Sequence, residues 1–139
     1  MGELTKQTTV NAPRDTVFEF VANPRNSPRY ISSIKRIVSG PEGIPEQGQS
    51  WQVEVDFLGQ RSQIQLRLHT VQPPDLVRFT LEGEPKAGLS LHLSEAQTPS
   101  RTLVALTLVV RSVPSILLRA LMDHLLAADM QRLKQTLER

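Results

Sequence analysis

The chain has 139 residues, of which 39% are hydrophobic and 22% are charged, and it carries a formal net charge of +2 and no cysteine. This length suits one domain, residues 1–139, with a sizeable core, and the composition excludes a disordered chain. The lack of cysteine excludes disulfides, thiol nucleophiles and cysteine-ligated metals.

The first part of the chain predicts one strand followed by two short helices. Residues 5–10 have the character of a strand. Asn11 is placed to cap the next helix, and Pro13 fits its first turn. That helix ends before Pro24, because the residue preceding a proline avoids helical geometry. Residues 24–30 then predict a further helical turn.

The middle of the chain predicts a meander of six strands, beginning with residues 34–39 and ending with residues 101–110. Apolar and polar residues alternate with a period of two between the turns, and the short connections imply antiparallel pairing. The last strand is apolar in both phases, which predicts cover on both faces. The apolar phases of the strands between are Trp51, Val53, Val55 and Phe57; Ile64, Leu66 and Leu68; Val77, Phe79 and Leu81; and Leu89, Leu91 and Leu93.

Residues 114–139 predict one long helix, with Pro114 in its first turn. Its first half is apolar over most of its circumference, so we expect the apolar face of the sheet to cover it. A sheet that closes over one long helix is a way for a small chain to build an internal pocket. The apolar positions of the helix are Leu118, Leu121, Met122, Leu125, Leu126, Met130, Leu133 and Leu137.

Three segments resemble the START-like (SRPBCC) superfamily, and more narrowly its polyketide cyclase/dehydrase and lipid-transport group. Residues 10–24, with an Ala-Pro helix start, resemble the opening of that group, residues 48–51 its Gly-x-x-Trp entry to a strand, and residues 71–77 its proline-bearing turn. The resemblance implies an α+β helix-grip fold. In that fold a seven-stranded antiparallel sheet wraps around a long C-terminal helix, with two short helices after the first strand. The cavity between them holds lipids, quinones or polyketides in relatives.

We therefore expect a ligand-binding cavity between the sheet and the C-terminal helix. Tyr30, Trp51 and His124 are the expected polar contacts, and residues 40–48 and 83–88 the expected entrance loops. The full expected set is Tyr30, Trp51, Val53, Val55, Leu66, Leu68, Phe79, Leu91, Leu117, Leu121, Met122, His124 and Leu125.

Two side chains of the long helix are candidates for acid–base chemistry. His124 lies at the edge of the apolar stripe, where it is a candidate hydrogen-bond donor or general base. Asp129 continues the early stripe; if buried it needs a partner, for which Arg132 is suitably spaced, and otherwise it lies on a solvent-exposed flank. His69 and His92 fall in the polar phases of their strands. The histidine spacing predicts no metal site, and nothing in the sequence indicates a cofactor.

The first functional hypothesis is a binding module for a small or medium hydrophobic molecule. The alternatives are a cyclase or dehydratase that uses the same cavity, and an interaction module, including a homodimer, that uses an exposed late stripe of Leu126, Met130, Leu133 and Leu137. No nucleic-acid-binding motif is present. No apolar run reaches the roughly 18 residues that span a bilayer, and the N-terminus lacks a signal peptide's apolar core, so we expect a cytoplasmic protein without an integral membrane segment.

Overall fold

The computed structural model describes residues 2–57, 59–83, 86–110 and 116–138, and it contains the predicted elements in the predicted order. The predicted Pro114 in the first helical turn lies outside the described residues. The elements are β1 (Gly2–Val10), α1 (Arg14–Ala22), a 3₁₀ helix (Pro24–Arg29), β2 (Ile34–Ser39), β3 (Ser50–Phe57), β4 (Gln60–Gln72), β5 (Leu76–Glu82), β6 (Ala87–Ala96), β7 (Thr98–Val110) and α2 (Ile116–Leu137).

The seven strands form one antiparallel sheet in the order β1-β7-β6-β5-β4-β3-β2. Strands β2 to β7 are a meander, and β1 closes the order by pairing with β7 from Gly2 opposite Val110 to Val10 opposite Thr102. The inward phases of the strands are buried, as the period-two alternation predicts, except that Phe57, Leu81 and Leu108 near strand ends are half-buried. The result is the predicted α+β architecture, an antiparallel sheet wrapped around a C-terminal helix.

The helix α2 packs its stripe Met122, Leu126, Met130 and Leu133 into the sheet, with exposed fractions between 0% and 7%. The hypothesis of an exposed late stripe that binds a partner is therefore wrong for these residues, because they belong to the core. Leu137 is half-buried and packs against the same core.

Polar contacts tie α2 along the edge strand β1, and we call them the β1-side contacts. They recur along the length of the helix, so its whole axis follows β1. In order along α2 they are Arg119 Nη2 donating to the Glu3 carbonyl (3.0 Å), Lys6 Nζ paired with Asp123 (2.9 Å), Lys134 Nζ donating to the Thr9 carbonyl (2.9 Å), and the Asn11 N–H donating to Glu138 Oε2 (2.7 Å).

Two local predictions need correction. Pro13 is the N-cap residue of α1 and not part of its first turn, while Asn11 lies two residues further out, with its N–H bonded to Glu138. The outer phase of β7, expected to be covered, is only half-buried.

We predict that Leu133→Ala lowers the free energy of unfolding by about 2–5 kcal/mol, because it leaves a cavity in a fully buried part of the core. Urea denaturation measures this. The control is Leu121→Ala on the same helix, where the side chain is 42% exposed and the expected change is within about 1 kcal/mol. Equal losses in the two variants would contradict the assignment of the buried stripe.

Candidate functional site

A cavity of about 80 Å³ lies between the sheet and the first half of α2. Of the fifteen lining residues within the described ranges thirteen are apolar, and the two polar ones are Ser33 and Asp129. The sheet and the connection into it contribute Ile31, Ser33, Ile34, Val55, Phe57, Ile64, Leu66, Leu81, Leu89, Leu108 and Val110, and the helix contributes Met122, Leu125, Leu126 and Asp129.

The strand register explains why these residues meet. Val55 and Phe57 lie at the end of β3, opposite the start of β4, while Leu81 lies at the end of β5, opposite Ala87 at the start of β6. Ala87 in turn pairs with Val110 at the end of β7. The cavity therefore occupies one end of the sheet, where β3, β5 and β7 end and β4 and β6 begin.

The opposite end of the sheet is filled by large side chains. Trp51, Phe79, Leu68 and Leu91 are each at most 2% exposed and do not line the cavity. The Trp51 indole Nε1 donates to the Pro41 carbonyl at 3.0 Å. The expected entrance loop at residues 40–48 is thus attached to the filled end, and it contributes no lining residue.

A glycine is required where this loop meets Trp51. Gly40 has φ +149°, and a Cβ added there would collide with the Trp51 ring. The backbone of the loop can approach the indole only because this side chain is absent.

Only part of the expected ligand-binding set reaches the cavity. Val55, Leu66, Met122 and Leu125 line it. Tyr30, Trp51, Val53, Leu68, Phe79 and Leu91 are buried elsewhere in the core, His124 and Leu121 are exposed and outside the lining, and the side chain of Leu117 lies outside the described residues. The roles of all these residues in ligand binding stay predictions.

The side chains that the prediction missed are mostly inward-phase residues at strand ends. Leu108 lies in the last strand, which is apolar in both phases. Phe57, Ile64, Leu81 and Leu89 follow the alternation that predicted one inward face for their strands. The alternation therefore identified their face. It gave no information on which end of the sheet is left unfilled.

Asp129 is the charged residue of the cavity wall and is only 4% exposed. Its Oδ1 accepts the Ser32 backbone N–H at 3.2 Å. Burial raises the pKa of the carboxyl above its ordinary value, against hydrogen bonds from Ser32 and the charges of Arg132 and Lys35, which lower it. The alternative of a solvent-exposed flank is therefore wrong.

The expected partner of Asp129 does not contact it directly. Within the described residues no ion pair joins Arg132 to Asp129, and the guanidinium instead donates to the Pro28 carbonyl at 3.4 Å. The partner of Asp129 is the backbone N–H of Ser32 and not the predicted Arg132 side chain. Because nearly every residue has a backbone N–H, the sequence pattern could not indicate this partner.

Tyr30 is fully buried, and its hydroxyl has no hydrogen-bond partner among the residues that the structure describes. The ring packs against Phe20 with centroids 5.9 Å apart. Burial, and secondarily the negative charge of Asp129, raise the pKa of the Tyr30 hydroxyl. It therefore remains a neutral donor in the neighbourhood of Asp129.

The three histidines lie outside this site. His69 and His92 are exposed, as their strand phases predict, and His124 is exposed on the outer side of α2. Across the described ranges no three His, Asp or Glu side chains converge as a metal site would require. The chemistry available to the cavity therefore rests on Asp129 and the nearby hydroxyl groups.

We predict that Asp129→Asn raises the thermal unfolding midpoint at pH 7. The raised pKa of Asp129 means that the folded state disfavours the charged carboxylate. This penalty is absent below the unfolded pKa, about 3.9, and develops as the pH rises through the folded value. The advantage of the variant should therefore be present at pH 7 and vanish near pH 3. Thermal scans across this range measure it.

The control is Asp123→Asn, which removes an exposed carboxylate paired with Lys6 on the same helix. Its stability should follow that of the wild type without a gain at pH 7. A lower midpoint for Asp129→Asn than for the wild type at pH 7 would mean that the carboxylate stabilises the fold.

Comparisons with known proteins agree with this architecture. A family model described as polyketide cyclase / dehydrase and lipid transport matches residues 1–139. No curated protein matches the chain at a significant level. In the part of the chain that the structure describes, no helix combines the length and apolarity needed to cross a bilayer.

Solved structures with this fold come from several bacteria. A START superfamily protein from Mycobacterium smegmatis has 19% sequence identity and a TM-score of 0.77, over 98% of this chain and 97% of that one. The Zhui aromatase/cyclase from Streptomyces sp. R1128 has 19% identity and a TM-score of 0.77, over 99% and 94%. The Aha1 dimer from Colwellia psychrerythraea has 15% identity and a TM-score of 0.71, over 99% and 97%. At these identities the likeness establishes the fold. With the family match over its whole length, the chain belongs to the polyketide cyclase / dehydrase and lipid transport family.

Proposed function

We propose that the protein binds a small or medium hydrophobic molecule, of lipid, quinone or polyketide type, in the cavity between the sheet and α2. The observation that carries the proposal is the composition of the cavity wall, whose described residues are apolar except for Ser33 and one buried carboxyl group, Asp129. Apolar walls with a few polar groups are the usual make-up of small-molecule sites. Burial of apolar ligand surface, at roughly 25 cal/mol per Å² before ordering costs, would supply most of the affinity.

The size of the cavity sets a condition on binding. A volume of about 80 Å³ is roughly half of the 150 Å³ cavity that accommodates benzene in an engineered protein. A ligand of lipid or polyketide size must therefore widen the cavity or extend out of it. Several lining residues are only half-buried, so a larger ligand would extend past them toward solvent; they are Ile31, Ser33, Phe57, Leu81, Leu108 and Leu125. Met122 lies in the same wall, and its unbranched side chain can adapt to a ligand.

Native mass spectrometry of the protein purified from its own host, followed by solvent extraction, tests the proposal. A retained apolar molecule would identify the ligand. A clean mass of the unliganded chain, unchanged after incubation with a broad library of apolar compounds, would overturn the binding function.

We predict that Leu125→Trp abolishes the binding of any ligand found in this way, because an indole at this position fills the cavity. The control is Leu137→Trp, an identical change at a half-buried position of the same helix that does not line the cavity. Calorimetric titration of both variants measures the effect. If Leu125→Trp binds as the wild type does while it remains folded, the ligand lies elsewhere.

The second candidate is a cyclase or dehydratase, and Asp129 is the observation that favours it. A buried carboxyl with a raised pKa in a cavity wall is suited to transfer a proton to or from a bound carbonyl compound. Turnover of a polyketide-like carbonyl substrate that disappears in Asp129→Asn, with binding retained, would establish the enzyme. Retained turnover would exclude Asp129 as the acid or base.

A further inference from the structure

The polar groups of the cavity are gathered at one place, which we call the polar end. Its residues are Ser33 and Asp129, which line the cavity, and Ser32, whose backbone N–H is bonded to Asp129. The other described residues that line the cavity are apolar. Among the described lining residues, a ligand that fills the cavity therefore meets polar side chains at this end, where we expect its own polar group to lie.

The charged side chains around the polar end determine which polar group of a ligand the cavity can bind. Asp129 is 4% exposed, and the cationic side chains that act on it are those of Arg132 and Lys35, neither of which lines the cavity. Lys35 is exposed, and Arg132 is half-buried and bonded to the Pro28 carbonyl. The Tyr30 hydroxyl, buried and acted on by the charge of Asp129, is the other titratable group near this end.

We propose that the ligand of this cavity carries a neutral hydroxyl group that hydrogen-bonds to Asp129, and that the cavity rejects carboxylates. This inference rests on the proposed function and specifies its ligand class. A hydroxyl group suits Asp129 in either protonation state, because it donates to a carboxylate and accepts from a carboxylic acid.

The other common polar groups fit less well. A ligand carboxylate would place a second negative charge beside an ionised Asp129, and beside a protonated Asp129 it would still have to leave water as an anion for a largely apolar cavity; both are unfavourable. A ligand ammonium group would be attracted to Asp129 less strongly than to an isolated carboxylate, because the positive charges of Arg132 and Lys35 already act on Asp129. It also loses more hydration than a hydroxyl group when it enters an apolar cavity. Free fatty acids are therefore excluded by the site, and fatty alcohols, sterol-like alcohols and phenols fit it.

A matched series of small probes tests this inference. The probes are 1-hexanol, its methyl ether, hexylamine and hexanoate, which share an alkyl chain and differ in the polar end group. Binding at pH 8 is measured from the NMR shifts of the methyl groups of Leu66, Met122 and Leu126, all of which line the cavity. We expect 1-hexanol to bind at least about tenfold more tightly than its methyl ether, because the ether cannot donate a hydrogen bond to a carboxylate. Hexanoate should be the weakest of the four.

Binding of the same four probes to two variants tests whether Asp129 causes the preference for the alcohol. Asp129→Asn removes the charge, so the advantage of the alcohol over the ether should fall to within about twofold and hexanoate should gain affinity. Asp123→Asn removes a carboxylate outside the cavity on the same helix and should retain the wild-type order.

Each outcome decides between the two proposals. Equal affinities of the alcohol and the ether in the wild type, or tightest binding of hexylamine or hexanoate, would overturn the hydroxyl preference while the binding function stands. A preference that persists unchanged in Asp129→Asn would move the polar contact to another residue. If no probe shifts the cavity methyl groups, the proposed binding function fails, and the hydroxyl preference fails with it.

Discussion

Burial of the stripe formed by Met122, Leu126, Met130 and Leu133 is the interaction on which the other features of the molecule depend. It fixes α2 against the inward face of the seven-stranded sheet. Because a helix is straighter than the sheet that wraps around it, the two surfaces cannot be equally close along their whole length. Where they diverge, large side chains must fill the gap or a cavity remains.

The two ends of the sheet resolve this mismatch in opposite ways. At one end Trp51, Phe79 and neighbouring leucines fill the space and the backbone at Gly40 closes over the indole. At the other end the lining side chains are mostly Val, Ile and Leu, and about 80 Å³ stays empty. The filled end supplies a stable framework, so the hollow end can include a carboxyl group whose burial is unfavourable. Such local costs are typical of functional sites.

The sequence predicted the architecture better than the site, and the helix shows why. Strand phase follows directly from alternation, so the inward faces and the order of the elements were accessible. On α2 the buried stripe runs through Met122 and Leu126, and Asp129, seven residues after Met122, is only about 20° from that line. His124, two residues after Met122, is about 200° away and faces outward. Because the first half of α2 is apolar over most of its circumference, its composition does not reveal which face of the helix packs against the core. The unfilled end of the sheet and the main-chain donor at Ser32 depend on three-dimensional packing and have no local signal.

The β1-side contacts give the helix an unequal attachment. Along β1 it is held by contacts at both of its ends and between them, whereas toward the opposite edge the described polar contacts are those of Asp129 with Ser32 and of Arg132 with Pro28. On the side away from β1, one of the two described polar contacts of α2 thus belongs to Asp129, a residue of the cavity wall. The residue that we propose as the ligand's partner is therefore also one that attaches the helix to the rest of the fold. A ligand hydroxyl group that displaced the Ser32 N–H from Asp129 would weaken this attachment as it binds.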